Sequence, residues 1–461
     1  MTELKKDTVI ELDITDLNNL GNGVGRIDGK VVFVRGTVSG DRVRAKIIKV
    51  NKSFSVARLE EIIKPSADRE DGFCDMPLSC GGCVYRHIKY ERELELKHNY
   101  VKNAFIKAGI PDANVLPVIS AGRECGYRNK GQYPLTKIKG KTVAGFYAAK
   151  THNVVPAEDC AIQNPVFSPI LRTACELADE QGWSVYNEET QSGLLRHIYL
   201  RIGEKTGEVM LCLVINGSSL SGSDALVKRV TEKFDNVVSI MLNFNSEDTN
   251  VVLGKEYRTL YGKSGIEDEL CGLGFFISPA SFYQVNRDGA EILYGKAREL
   301  ADLKGGELIA DLYCGTGTIG LSMAKNVKKL VGVEIVESAV ECAKENAKRN
   351  GIENAEFICA DASDKNILLS ALGGCVPDVV VIDPPRKGST ERLVDTLADI
   401  GVKKVVYVSC SPDTLARDAK LFIERSYEMS SVQPVDMFPR SGHVESVVCF
   451  THNGFDVDMR R

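Results

Sequence analysis

Long apolar runs are absent from this chain of 461 residues. Without any stretch of about 18 apolar residues, a membrane-spanning helix is excluded. The start, Met1–Asp7, lacks the apolar core of a secretory signal peptide. The composition, 43% hydrophobic and 26% charged, is that of an ordinary globular protein. We therefore expect a cytoplasmic monomer of two or three domains that has no membrane partner.

The charge is unevenly distributed along the chain. The formal net charge is −5, yet between Arg26 and Lys64 there are ten Lys or Arg and four Asp or Glu. A basic segment on an acidic chain predicts a polyanionic partner such as RNA. The alternative is the solvated face of a small β domain, and charge alone does not separate the two.

The first 65 residues have the pattern of a β domain. Strands are predicted where apolar residues alternate or form short runs, and glycines separate them as turns. The predicted strands are Thr8–Ile14, Lys30–Val34, Arg42–Val50 and Ser55–Ile63. A short, basic, glycine-rich β unit is the size of an OB-like barrel, a fold that often binds nucleic acid.

Residues 66–275 are mixed and include a charged amphipathic helix at Tyr90–Gly109. Beyond this region strands alternate with helices, which predicts a doubly wound α/β sheet. The seven predicted strands of that sheet are Leu308–Leu312, Leu330–Val333, Glu356–Cys359, Val379–Ile382, Val405–Val408, Ser431–Val435 and Val444–Phe450.

A glycine turn follows the first of these strands. Gly315, Gly317 and Gly320 complete G-x-G-x-x-G, so a dinucleotide site is one interpretation. However, Asp311 lies directly before the turn and would repel a pyrophosphate. Acids at the next strand ends, Glu334 and Asp361, suit ribose hydroxyls and an adenine amino group. The pattern therefore favours S-adenosylmethionine, which has a ribose, an adenine and no phosphate.

Two further strand ends carry reactive groups. One strand stops at Asp383-Pro384-Pro385-Arg386, where the prolines make a rigid edge. Methyltransferases that act on amino groups of adenine have an aromatic residue where this chain has Arg386, and RNA cytosine-5 enzymes have a nearby Cys that is absent here. Another strand stops at Cys410, where N–H groups of the following helix would favour the thiolate. We therefore predict Cys410 as the nucleophile.

These residues make the chain resemble the RNA uracil-5-methyltransferase family, and most of all its 23S rRNA enzymes with an N-terminal TRAM domain. The likeness runs from about residue 8 to 450. The matching segments are Ser278–Asn286, Asp311–Gly317, Asp383–Gly388, Tyr407–Pro412 with Thr414–Asp418, and Asp436–Pro439 with Gly442–Ser446. The resemblance implies a TRAM domain at 1–65, a central iron–sulfur domain at 66–275, and a Rossmann-like class I methyltransferase domain at 276–461. The helix near 90–110 is expected to pack on this last domain.

The resemblance also implies a mechanism and site residues. A Cys410 thiolate adds to C6 of an extruded uracil, C5 takes the methyl group, and a base removes the C5 proton. Glu445 matches the family's base, with His443 as the weaker candidate. Gln284 and Tyr313 match cofactor contacts, and the strand-end acids of the family match Glu334 and Asp383. Arg440-Ser441 stands where a His-Thr pair is more usual, so a substrate-side role of Arg440 is left open.

Four cysteines form a second group: Cys74, Cys80, Cys83 and Cys160. Four thiolates suit a tetrahedral zinc ion or a [4Fe–4S] cluster. The C-x5-C-x2-C spacing is unusual for zinc ribbons and matches the iron–sulfur members of the family, so the resemblance implies a [4Fe–4S] cluster with a structural or RNA-binding role. Cys125 is an outside candidate.

Three other functions compete with 23S rRNA methylation. Family members that act on the T-loop of tRNA typically lack the TRAM domain, which makes tRNA the second choice. Radical methylthiotransferases also combine TRAM domains with [4Fe–4S] clusters, but they need a C-x3-C-x2-C triad. A non-catalytic RNA-binding factor would be expected to have lost Cys410 or Glu445.

Overall fold

The N-terminal region forms a six-stranded sheet with the order β1-β5-β6-β4-β3-β2. The computed structural model describes residues 4–157, 159–452 and 454. The strands are β1 (Val9–Asp13), β2 (Asp16–Leu17), β3 (Asn22–Ile27), β4 (Lys30–Arg35), β5 (Arg42–Val50) and β6 (Phe54–Lys64). Alternate residues of β5, namely Val43, Ala45 and Ile47, are fully buried, as expected for a strand with one face on the core.

Strands β2 and β3 were not predicted, because the glycines of β3 were interpreted as turns. In the structure these glycines allow close packing. A Cβ at Gly25 would lie 2.6 Å from Cδ1 of Leu12, and one at Gly23 would lie 1.9 Å from Oγ1 of Thr37. Glycine within a strand often marks such a close approach.

The central region is a seven-stranded sheet with the order β10-β9-β8-β11-β12-β13-β14 and with two helices packed on it. Its elements are β8 (Lys130–Ile138), β9 (Lys141–Tyr147), β10 (Val154–Pro156), α2 (Phe167–Glu180), β11 (Leu195–Ile202), β12 (Val209–Ile215), α3 (Ser223–Lys233), β13 (Val237–Phe244) and β14 (Glu256–Gly262). A hairpin of β15 (Ile266–Leu270) and β16 (Leu273–Ile277) follows and packs on the core of the C-terminal domain.

The C-terminal domain is built on a doubly wound sheet, as predicted, but the sheet has nine strands where seven were expected, because β7 and β22 join it. Its parallel part has the order β19-β18-β17-β20-β21. Its elements are α4 (Arg287–Ala301), β17 (Leu308–Leu312), α5 (Thr318–Met323), β18 (Lys329–Glu334), α6 (Glu337–Arg349), β19 (Ala355–Cys359), α7 (Lys365–Ala371), β20 (Val379–Ile382), α8 (Glu391–Asp399), β21 (Lys404–Ser409), α9 (Pro412–Glu424), β22 (Tyr427–Met429), β23 (Gln433–Asp436) and β24 (Glu445–His452).

The early helix α1 (Tyr90–Lys107) packs on this C-terminal sheet domain. Its residues Val101, Ala104 and Phe105 share one apolar cluster with the strands and helices of that domain. The short strand β7 (Ile119–Ser120) then pairs in parallel with β23. The chain thus places part of its first third against its last domain. Within the described residues, no helix is long and apolar enough to cross a membrane.

Candidate active site

A crevice of about 480 Å³ opens at the carboxyl ends of the parallel strands. In open α/β sheets, ligands bind at this edge. Six of the residues predicted for the site line the crevice: Gln284, Tyr313, Gly315, Asp383, Cys410 and Glu445. The topology brings them together because β17, β20 and β21 end side by side while β24 runs antiparallel and begins at the same edge.

The glycine turn after β17 has the strained backbone that a close ligand approach requires. Tyr313, Gly315 and Gly317 have φ angles of 62°, 54° and 79°. A Cβ at Gly317 would lie 3.0 Å from the ring of Phe357, so this position has little room for a side chain. Buried Asp311 accepts a hydrogen bond of 2.9 Å from the N–H of Gly320 and so fastens the turn to α5.

Three predicted cofactor residues lie outside the crevice lining: Gly317, Glu334 and Asp361. Glu334 borders it, because its Oε2 accepts from the N–H of Gly315 at 3.1 Å. Its Oε1 accepts from two backbone N–H groups of the following turn. Asp361 accepts from the N–H and the hydroxyl of Ser363, and these hydrogen bonds hold the pKa of Asp361 below its ordinary value.

Cys410 lies between the end of β21 and the start of α9. Burial, followed by the charges of Glu445 and Asp383, raises the pKa of its thiol to about 11, with Arg386 opposing. The expectation that helix N–H groups would favour the thiolate is wrong for this structure. The N–H of Cys410 itself lowers the pKa, but its effect is smaller than those of burial and the neighbouring acids.

The carboxyl groups of the crevice are also shifted toward their neutral forms. Burial, followed by the charge of Asp383, raises the pKa of Glu445 from 4.5 to about 8, with Arg386 opposing. Burial alone raises the pKa of Asp383 to about 7. A crevice of buried acids with raised pKa values is suited to receive a cation.

Comparison with known proteins agrees with this geometry. The family model described as tRNA (Uracil-5-)-methyltransferase matches residues 238–453, and the TRAM domain model matches residues 4–59. An uncharacterized RNA methyltransferase of Clostridium tetani is 42% identical over 98% of this chain and 98% of its own length. One from Listeria monocytogenes is 40% identical over 96% and 98%.

The chain belongs to the RNA uracil-5-methyltransferase family.

A solved structure extends the likeness to the whole fold. The crystal structure of Pyrococcus abyssi tRNA (uracil-54, C5)-methyltransferase in complex with S-adenosyl-L-homocysteine matches with a TM-score of 0.78 and 28% identity. The match covers 96% of this chain and 100% of that one. It therefore includes most of the N-terminal sheet as well as the Rossmann-like domain.

Several residues that line the crevice of this methyltransferase were not predicted as site residues. Arg128 and Lys130 reach it from the central region, and Phe282, with 65% of its surface exposed, lies at its mouth. Burial together with the charges of Arg201 and Arg128 lowers the pKa of Lys130 to about 8. The signals were available, because Phe282 lies in a matching segment and Arg128 belongs to a basic run.

Hydrogen bonds from the central region hold the loop that carries Phe282 and Gln284. Fully buried Arg201 of β11 donates to the carbonyl oxygens of Ser281 and Tyr283 at 2.7 and 3.1 Å. The side chain of Asn129 donates to the carbonyl oxygen of Gln284 at 2.8 Å. The central region therefore shapes one wall of the crevice.

The four cysteines of the second group lie close enough to influence one another. Burial, followed by the charges of Cys160, Cys74 and Cys80, raises the pKa of the Cys83 thiol to about 12. Cys125 is exposed and faces Glu124 and Arg440. Over the part of the chain that the structure describes, no three His, Cys, Asp or Glu residues have an arrangement that would hold a metal ion. The expected [4Fe–4S] cluster is thus not shown by this geometry.

Proposed function

We propose that this protein transfers the methyl group of S-adenosylmethionine to C5 of a uridine in RNA through a covalent bond between Cys410 and C6. The observation that carries the proposal is the convergence of Cys410, Asp383 and Glu445 on one crevice beside a glycine turn. Membership in the family favours methyl transfer over the radical methylthiotransferase and non-catalytic alternatives.

The reaction needs a nucleophile and a base, and the chain offers both. The Cys410 thiolate forms a bond to C6, and the electrons of the C5–C6 double bond move toward the O4 oxygen. C5 then bonds to the methyl carbon, whose old bond to sulfur breaks with its electron pair left on that sulfur. Glu445 accepts the C5 proton, the double bond re-forms, and the C6–Sγ bond breaks to release the thiolate.

The raised pKa values suggest that the cofactor binds before Cys410 and Glu445 lose their protons. In the free protein both Cys410 and Glu445 are mostly protonated at pH 7. S-adenosylmethionine supplies the methyl group and a positive charge. A positive charge close to these groups lowers their pKa values, as Arg386 already does. Cys410 and Glu445 would then take their reactive forms when the site is filled.

Seven residues are proposed to hold the cofactor: Gln284, Tyr313, Gly315, Gly317, Glu334, Asp361 and Asp383. Their support is the left-handed turn that contains Tyr313 and Gly315, which line the crevice, and the hydrogen bond from Gly315 to Glu334. The S-adenosyl-L-homocysteine bound to the Pyrococcus abyssi enzyme, which is S-adenosylmethionine without its methyl group, supports a cofactor of this type.

We also propose that Cys74, Cys80, Cys83 and Cys160 hold a [4Fe–4S] cluster. The donor set fits a soft metal, because it has four thiols, and they are mutually close. The backbone N–H groups of Ile162 and Gln163 favour the thiolate of Cys160, as second-shell donors do for ligating sulfurs.

An iron count tests the cluster. Protein purified without oxygen should be brown and contain about four irons, since four thiolates ligate one [4Fe–4S] cluster. Cys80→Ser or Cys160→Ser should bleach it, whereas Cys125→Ser, the matched control, should not. Stoichiometric zinc without iron would overturn the cluster and leave the methyl transfer untouched.

The RNA substrate is proposed to be 23S rRNA, with tRNA as the second candidate. The TRAM domain favours a long RNA, but the Pyrococcus abyssi protein matches 96% of this chain and its name specifies tRNA. The deciding experiment measures release of S-adenosylhomocysteine with each RNA, and maps 5-methyluridine in RNA from cells with and without the gene. Activity on tRNA alone would refute the 23S assignment, and no release with either RNA would refute the proposed function.

A further inference from the structure

The loop between β23 and β24, residues 437–444, separates the crevice from the cysteines. Its inner side places Phe438 and His443 in the crevice lining, and it ends at Glu445, the first residue of β24. Its outer side contacts the segment that contains Cys74, Cys80 and Cys83, which we call the cysteine segment (residues 70–88). The contacts on this outer side centre on one residue, Arg440.

Arg440 has a buried side chain, 1% exposed, on a left-handed backbone with φ of 69°. Its guanidinium donates to the carbonyl oxygen of Ile88 at 2.6 Å and pairs with Glu70 at 2.7 Å. It also pairs with Glu124 and lies 4.3 Å from the ring centre of Phe73. Three of these four partners belong to the cysteine segment, so the side chain of Arg440 serves this segment and not the substrate.

The backbone of Arg440 also binds the cysteine segment. Its carbonyl oxygen accepts from the N–H groups of Val84 and Tyr85, the two residues after Cys83, at 2.9 and 3.1 Å. Its N–H donates to Glu93 of α1 at 2.7 Å. A non-glycine residue in the left-handed region is held there only by strong surroundings. Both the side chain and the strained backbone are thus fixed by the cysteine segment and α1.

Hydrogen bonds within the rest of the loop link the neighbours of Arg440 to His443, two residues before Glu445. The hydroxyl of Ser441 donates to the carbonyl oxygen of Phe438 at 2.7 Å, and the N–H of His443 donates to the Ser441 hydroxyl at 3.3 Å. A Cβ at Gly442 would lie 1.8 Å from the carbonyl oxygen of Asn19, which leaves no room for movement on that side. A shift at Arg440 therefore moves His443 and the start of β24.

We propose that Arg440 is a positioning residue, which locks the cysteine segment to the β23–β24 loop and thereby sets Glu445 for removal of the C5 proton. The inference rests on the proposed function and adds to it a structural purpose for the cysteine segment. Cys410 and the glycine turn are on other elements, so bond formation to C6 and cofactor binding do not depend on this contact.

The test uses Arg440→Met, which removes the charge and the donors, and Arg440→Lys, which keeps the charge without the planar fork. Glu124→Gln weakens one ion pair at a half-exposed partner. Arg229→Met is the matched control, because Arg229 forms a bidentate pair with Glu180 on the surface of the central region.

The measurements separate the steps of the reaction. We expect the Kd for S-adenosylmethionine and the rate of adduct formation with 5-fluorouridine RNA to stay unchanged in every variant. Release of methylated RNA should slow about 10²-fold in Arg440→Met, a cost typical of a displaced catalytic group. The methylated protein–RNA adduct should accumulate with natural RNA. Arg440→Lys and Glu124→Gln should show the same defect more weakly, and Arg229→Met should show none.

Two outcomes overturn the proposal. One is release of methylated RNA at the wild-type rate in Arg440→Met. The other is a loss of cofactor binding and adduct formation in proportion to turnover, which is the behaviour of a residue that only stabilises the fold. If Arg440→Met does not fold, Arg440→Lys and Glu124→Gln decide, and normal release by both overturns it.

Hydrogen exchange tests the contact without any RNA. Arg440→Met should lose protection of the amides of residues 437–444, and so should Cys80→Ser. The double variant should be no worse than either single one, since both act through one contact. Additive losses would overturn the coupling. This readout survives a failure of the proposed function, whereas wild-type protein that releases no S-adenosylhomocysteine would refute that function alone.

Discussion

In the N-terminal sheet charged side chains face solvent and pair across strands, whereas in the crevice of the C-terminal domain they are buried among one another. Arg44 pairs with Glu11 and Glu61, and Lys46 pairs with Asp7, all partly or fully exposed. Glu445 and Asp383 form no ion pair with any residue that the structure describes, and burial raises their pKa values. Charged residues therefore form exposed ion pairs in the N-terminal sheet, whereas in the crevice they are placed for reaction chemistry.

The difference follows from desolvation. In an exposed ion pair each charge exchanges contacts with water for contacts with its partner. The free energy of the fold therefore changes little when the pair forms or breaks. A buried carboxyl loses its water and shifts toward the neutral form. Its pKa then changes strongly when a charged ligand binds nearby. Substitutions in the crevice should therefore have large effects and those in the N-terminal sheet small ones.

The largest effect is expected at Cys410. Cys410→Ala should abolish turnover and abolish the covalent complex with 5-fluorouridine RNA, because the adduct needs the thiolate and fluorine blocks its elimination. Gel analysis of the protein–RNA complex measures this directly. The matched control is Cys314→Ala, a buried thiol of the same crevice that is assigned no role. An adduct formed by Cys410→Ala would refute the assignment.

Glu445 comes next. Glu445→Gln should form the adduct and methylate it once, and then stall, with turnover reduced on the order of 10²–10⁴-fold, as for loss of a general base. Mass spectrometry of the trapped complex should find the methyl group. His443→Ala is the comparison, since His443 also lines the crevice and burial lowers its pKa, which favours the neutral imidazole. Normal turnover by Glu445→Gln combined with stalling by His443→Ala would move the base to His443.

The burial of Glu445 also predicts an effect of pH on stability. Its pKa rises from 4.5 in the unfolded chain to about 8 in the fold, so its contribution is full below pH 4.5 and is lost as the pH rises toward 8. Glu445→Gln removes that loss. We expect the variant to be more stable than wild type by about 2 kcal/mol at pH 8 and equal to it at pH 4. Thermal unfolding of the cofactor-free protein at both pH values measures the difference, and an equal gain at both would contradict the cause.

The sequence predicted the crevice well because its signals are local. Alternating strands and helices, a glycine turn and reactive residues at strand ends placed Cys410, Asp383 and Gly315 at one edge of a sheet. Glu445 required the resemblance to a family, since an acid at the start of a strand has no distinctive pattern. The direction of the Cys410 pKa was missed, because desolvation depends on neighbours that come together only in the fold.

Contacts between distant parts of the chain were the least predictable. Strand β7 was not expected in the C-terminal sheet, because two residues give no pattern and its partner β23 lies more than 300 residues later. The sequence left a substrate-side role of Arg440 open, and only the structure places its carboxylate and carbonyl partners. The position of Arg128 and Lys130 at the crevice was also not predicted, because it too depends on a contact between distant parts of the chain.

The smallest effect concerns the basic residues of the N-terminal sheet. Arg44 and Lys46 are already paired with neighbouring acids. Lys49, near the end of β5, and Lys52, in the turn between β5 and β6, are exposed and have no ion pair with a described residue. If this turn contacts RNA backbone, the double variant Lys49→Ala/Lys52→Ala should weaken binding of a long rRNA fragment and make the salt dependence shallower, by about 0.7 in the log–log slope per lost phosphate contact. Arg44→Ala, the matched control, should change the slope less, because the acids around Arg44 already offset its charge. Adduct formation with a short 5-fluorouridine stem-loop should be unchanged in both, since neither residue lines the crevice. An equal slope change for the two variants would mean that pairing does not decide which cations meet the RNA, and no change in either would limit the N-terminal sheet to a packing role.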